Sequence, residues 1–120
     1  MAKLFAIAVP ILPGKTSQWK KFASELNREK KKDFEISCNE LEVRERTFLQ
    51  ETPAGDFAIV TLEGNNPSEA FEKFTTGRDP FTKWFLNEVK EIHGIDFSQT
   101  INAPLPELII DSGRVQTFQI

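Results

Sequence analysis

Two stretches of this chain are apolar on both of the faces that a β-strand presents. Lys3 to Ile11 sets Phe5, Ile7, Val9 and Ile11 on one side and Leu4, Ala6 and Ala8 on the other. Phe57 to Glu63 sets Phe57 and Ile59 against Ala58, Val60 and Leu62. Side chains alternate between faces along a strand, so a sheet holding both segments needs covering twice. The helical segments of the chain suffice for one face only. That mismatch limits the possible architectures more than any other feature.

The best-specified helix lies between Gly77 and Gly94. Asp79 is placed to accept hydrogen bonds from free amides at its start, Pro80 suits the first helical position, and Gly94 suits a left-handed close. Phe81, Trp84, Phe85, Val89 and Ile92 form one apolar stripe at helical spacing, with Glu88 inside it. The other elements follow the same logic. After Pro13-Gly14, a helix capped by Thr16 or Ser17 carries Trp19, Phe22, Ala23 and Leu26. It continues or restarts after a kink at Asp33, where Phe34, Cys38 and Leu41 keep helical spacing. Glu42 to Gln50 alternates, with Val43, Glu45, Thr47 and Leu49 on one face and Arg44, Arg46 and Phe48 on the other. Thr52 to Asp56 makes a hairpin turn into the second two-faced strand. Ser68 to Thr76 is a short helix. Leu105 to Asp111 is expected as a last strand, entered through Pro104 and Pro106, and Val115 to Ile120 as a short terminal one.

The order is β-α-β-β-α-β with the second helical region split in two: a ferredoxin-like α+β fold with one antiparallel sheet and helices on one face. It forms a single domain over residues 1–120, with its core at about 3–111 and a C-terminal extension at 112–120. The uncovered sheet face predicts a homodimer, sheet against sheet. Eleven Phe and no Tyr point to aromatic burial. A single cysteine excludes an internal disulfide and a multi-cysteine metal site. With a formal net charge of -3, a nucleic-acid or membrane partner would need a local basic patch, and neither is expected. The N-terminal apolar run reads as a strand rather than a signal peptide, and no run reaches the ~18 apolar residues of a membrane span. The expected compartment is the cytoplasm.

The Asp79-Pro80-Phe81-x-x-Trp84-Phe85 opening, the Ile92-His93-Gly94 close and the Leu49-Gln50 to Gly55-Asp56 hairpin resemble a group of small bacterial proteins of the dimeric α+β barrel superfamily. The resemblance covers the chain up to about Asp111. It implies a barrel built by two sheets. Activities in that superfamily include cofactor-independent oxygenation, haem handling and isomerisation, and fold alone does not choose among them.

Candidate chemistry rests on a few side chains, each with a plainer alternative. Glu88 either points into a cavity, where burial raises its pKa and suits it to catalytic acid–base work, or turns to solvent or pairs with an arginine. Arg44 and Arg46 can bind an anionic ligand, or form cross-strand or intersubunit ion pairs. His93 is a candidate ligand-binding residue and, more plainly, a cationic group at a helix C-terminus. Trp84 lines a pocket or anchors the core. Cys38 reads as a small buried hydrophobe. One histidine without a second at ligand spacing gives no metal site, and no phosphate loop or nucleophile elbow is present, so neither metal nor cofactor is expected.

The leading expectation is a small-molecule-binding barrel, with a cofactor-independent enzyme as its catalytic form. The alternative is a non-catalytic interaction module whose cavity its own Phe side chains fill. An RNA-recognition domain shares the topology, and Gly55 to Leu62 has a faint likeness to its third-strand signature. Ile59 in place of a stacking aromatic and the charge of Asp56 argue against it.

Overall fold

The computed structural model describes residues 3–97 and 105–113. Seven elements follow one another: β1 (Lys3–Pro10), α1 (Thr16–Asn27), α2 (Lys31–Glu40), β2 (Val43–Thr52), β3 (Gly55–Gly64), α3 (Pro67–Thr75) and α4 (Pro80–His93). The strands form one open antiparallel sheet in the order β1-β3-β2. The fold is α+β, and a ferredoxin-like arrangement fits it coarsely. Among the described residues, no helix is long and apolar enough to cross a membrane.

α4 forms as its sequence dictates. Asp79 accepts from the Thr82 amide at 3.0 Å and from the Thr82 hydroxyl at 2.7 Å. Pro80 occupies the first turn, and Gly94 closes the helix at φ 71°. α3 is capped by Asn66, which accepts from the Glu69 amide. α1 behaves differently from expectation: its start has no side-chain cap. The Thr16 hydroxyl instead donates to Asp56 Oδ2 at 2.6 Å. Asp56 also accepts from the Thr52 amide through Oδ1, and its carbonyl accepts from the Ile11 amide at 2.9 Å. One aspartate thus ties the β2–β3 hairpin to the end of β1 and the start of α1. The break between α1 and α2 falls at residues 28–30, ahead of the Asp33 kink expected from spacing.

The ladder sorts side chains into two faces. On one face the cross-strand rows are Phe5–Leu62–Glu45, Ile7–Val60–Thr47 and Val9–Ala58–Leu49. The helices pack there, around a core of Ile11, Trp19, Phe22, Ala58, Val89 and Ile92, the last fully buried. Phe22 meets Phe85 edge-on at 5.0 Å, and Phe74 meets Phe85 in the same way at 4.9 Å. Edge-to-face pairs of this kind add to the burial they share.

The opposite face carries the rows Ala6–Thr61–Arg46, Ala8–Ile59–Phe48 and Leu4–Glu63–Arg44, and among the described residues no helix covers it. Leu4 and Phe48 are 53% and 56% exposed there. Leu105 to Asp111 differs from the expected strand. It has no regular structure, and Leu108, Ile109 and Ile110 are 65%, 75% and 85% exposed. Pro104 and Pro106 deny the segment's start the amide donors that a ladder requires. The expected strand at Val115 to Ile120 lies outside the described residues.

Candidate functional site

The sheet and the helices do not close on each other completely. A cavity of about 270 Å³ lies between them. Two sequence features leave it open. β2 presents Glu45 and Thr47 to this face where β1 and β3 present Phe5, Leu62, Ile7 and Val60. α2 opposite them contributes no fully buried residue. Its Phe34 and Cys38, with Leu41 just past its end, are half-buried and line the cavity from above.

The wall is largely aromatic and aliphatic, and among the described residues Glu45 is the carboxylate in it. Thr47 Oγ1 donates to Glu45 Oε2 at a long 3.3 Å. Removal from water dominates over that bond and pushes the Glu45 carboxyl up to about 7. Cys38 lies beside it. Burial, and then the Glu45 charge, push the Cys38 thiol up to about 12, against a hydrogen bond from the Glu45 backbone. A thiol held protonated that far is no nucleophile at neutral pH. The reading of Cys38 as a packing residue fits that electrostatic setting.

His93 also lines the cavity. It is buried, and its Nδ1 lies 2.8 Å from the Pro10 carbonyl oxygen. A carbonyl only accepts, so Nδ1 carries the proton. Desolvation lowers the ring's pKa despite that bond. Burial thus works against the cationic form that an end-group of α4 would use. Glu45 and His93 are not a hydrogen-bonded pair. The ladder separates the Glu45 row from Pro10 by about 17 Å along the strands and ~10 Å across them.

The other expected site residues lie elsewhere. Glu88 is half-buried and does not line the cavity. Its carboxyl is raised by desolvation, then by the charges of Glu91 and Glu25, with Lys21 opposing them. That places it on the seam between α4 and α1. Arg44 and Arg46 are exposed on the uncovered sheet face. Arg46 Nη2 forms a 3.0 Å ion pair with Glu63 Oε1, diagonally across the ladder. Trp84 packs on Phe22 with centroids 5.4 Å apart, and Lys30 Nζ sits 5.0 Å over its ring. The cavity thus brings together His93 and a residue that had not been singled out, Glu45. Its signal was present in the alternation: a carboxylate sharing a strand face with Val43, Thr47 and Leu49. Among the described residues, no group of three or more metal-ligating side chains occurs.

Neither a family model, nor a curated protein, nor a solved structure matches this chain.

Proposed function

We propose that the sheet–helix cavity is a binding site for a small, largely apolar molecule, and that the chain works as a homodimer of the dimeric α+β barrel kind. One observation carries the first part: a space of about 270 Å³ whose apolar wall holds a carboxylate titrating near neutrality. Ligand sites combine a mostly apolar wall with a few placed polar groups. The size fits a ligand between benzene, which fills a cavity of ~150 Å³, and the occupants of typical sites of ~300–1,000 Å³. A carboxyl near pH 7 is also matched to proton transfer, so the catalytic form of this reading is cofactor-independent acid–base chemistry at Glu45.

The dimer reading is supported by the uncovered sheet face. Its middle is apolar, with Ala8, Ile59 and Phe48 in one row. At one end it carries both Arg44 and Glu63. A two-fold axis brings a surface against itself, and a face with both signs of charge can satisfy that operation. The same face, together with exposed Leu108, Ile109 and Ile110, also favours the second reading, a non-catalytic interaction module.

Methyl-resolved NMR during titration with 2-phenylethanol tests the cavity reading. Shifts at Val60, Leu62 and Leu86, which line the cavity, are the expected result. Shifts restricted to Leu4 and Ile59 on the outer face, or none at millimolar ligand, would remove the cavity reading and favour the interaction module.

A further inference from the structure

Resting on the reading of the cavity as a ligand site, we propose that it takes an organic amine: a compact apolar body carrying one protonated nitrogen, with the ammonium on Glu45. The charge balance of the wall points there. Glu45 lines the cavity, and among the described residues no lysine or arginine does. Among the described residues no cation lies within ion-pair distance of Glu45. Its carboxylate is left with the long Thr47 contact. Glu45 is half-buried in the cavity wall, and a carboxylate withdrawn that far from water without a cation is costly unless it is protonated or a ligand supplies the charge.

The rest of the wall suits the same ligand class. Phe5, across β3 from Glu45, stacks on Phe71 with centroids 5.6 Å apart, and both rings line the cavity. Aromatic faces attract ammonium groups, more so when the ion is desolvated. An organic acid finds no positive partner in this wall. An alcohol can donate to Glu45 but brings no charge to it. The ligand is thus distinguished by its nitrogen, while the apolar body gains from burial alone.

Few other groups can confuse the pH response. Of the elements around Glu45, α2 contributes the Cys38 thiol, which stays protonated to about 12. α4 contributes His93, which lies at the far end of the sheet and whose charged form is disfavoured by desolvation. β1, β3, α1 and α3 contribute no titratable side chain to the cavity. Binding an ammonium requires an ionised Glu45. Below about pH 7 it therefore releases a proton and weakens as acidity rises.

Three probes of one shape test the proposal by isothermal titration of the full chain: 2-phenylethylamine, 2-phenylethanol and phenylacetate. At pH 8 the amine should bind at least tenfold tighter than the alcohol, with the acid weakest. Between pH 8 and pH 6 the amine should lose about tenfold in affinity while the alcohol is unchanged, as a single carboxyl near 7 requires. Glu45→Gln should bring the amine to the affinity of the alcohol. Unaltered methyl resonances of Val60, Leu62 and Leu86 in the ligand-free variant show that the cavity is intact. An alcohol that binds as well as the amine, a preference for phenylacetate, or an amine preference that survives Glu45→Gln overturns the proposal and leaves a ligand site of other chemistry. If none of the three binds, the ligand-site reading falls with it.

Discussion

Glu45 and His93 line one cavity from opposite ends of the sheet, and the same burial moves them in opposite directions. The Glu45 carboxyl is pushed up to about 7, and the His93 imidazole is held below its ordinary value. Each shift favours the neutral form. Their contributions to stability therefore run oppositely with pH, and variants separate them.

For Glu45 the folded state binds its proton more tightly than the unfolded chain. Its contribution to stability is fully present below the unfolded value of 4.5 and is lost as pH rises through about 7. The move from 4.5 to about 7 corresponds to about 3 kcal/mol in magnitude. Glu45→Gln should therefore leave stability at pH 4.5 nearly unchanged and raise it at pH 8 by up to that amount. Urea denaturation at the two pH values, at matched protein concentration, measures it. A loss of stability at pH 8 would show that the carboxylate is paired.

His93 works the other way. Its lowered pKa means that the unfolded chain takes up a proton first as pH falls below 6.5, so its contribution is present above 6.5 and lost on acidification. His93→Gln should flatten the fall in stability between pH 6.5 and pH 5. It should also cost on the order of 1 kcal/mol at pH 8, through the bond to the Pro10 carbonyl. An unchanged acid limb would mean that the ring is already charged in the folded protein.

Asp79 carries a separate, local prediction. The Thr82 hydroxyl, and then the Thr82 amide, hold its carboxyl below the ordinary value. Asp79→Ala should cost about 1 kcal/mol at pH 7, the usual worth of such a cap. The difference should vanish as pH falls below 3.8 and Asp79 protonates in both states. Thermal unfolding followed by far-UV circular dichroism is sufficient.

The sheet-face dimer predicts a mass near twice 13.7 kDa at micromolar concentration. Phe48→Glu puts a charge into the apolar row with Ile59 and Ala8 and should yield monomer in sedimentation equilibrium. A wild-type chain that is monomeric at 100 µM contradicts the dimer.

Local chemistry is what the sequence displayed most openly. The Asp79 cap, the Gly94 close and the hairpin into Gly55 each depend on residues a few positions apart, and each formed where those residues stand. Alternation likewise separated Glu45 from Arg44 and Arg46. Relations across long separations were not visible. Thr16 was available as a cap until Asp56, forty residues away, took its hydroxyl. Glu88 sits inside an apolar stripe in projection. The stripe is wide, though, and its edge meets Lys21 and Glu25 of α1 rather than the cavity. That Glu88 misses the cavity was decided by how α1 packs beside α4, and no periodicity encodes that. The apolar run Leu108-Ile109-Ile110 reads as strand by composition, yet a strand exists only where a neighbour pairs with it.

The most direct test of the account is the titration of Glu45 itself, followed through its δ-carboxyl 13C resonance in the ligand-free protein and assigned with Glu45→Gln. Desolvation of this half-buried carboxyl, with no cation paired to it among the described residues, predicts a midpoint near 7. A midpoint near 4.5 would mean that water or a positive charge reaches Glu45, and would contradict the cavity as the functional site.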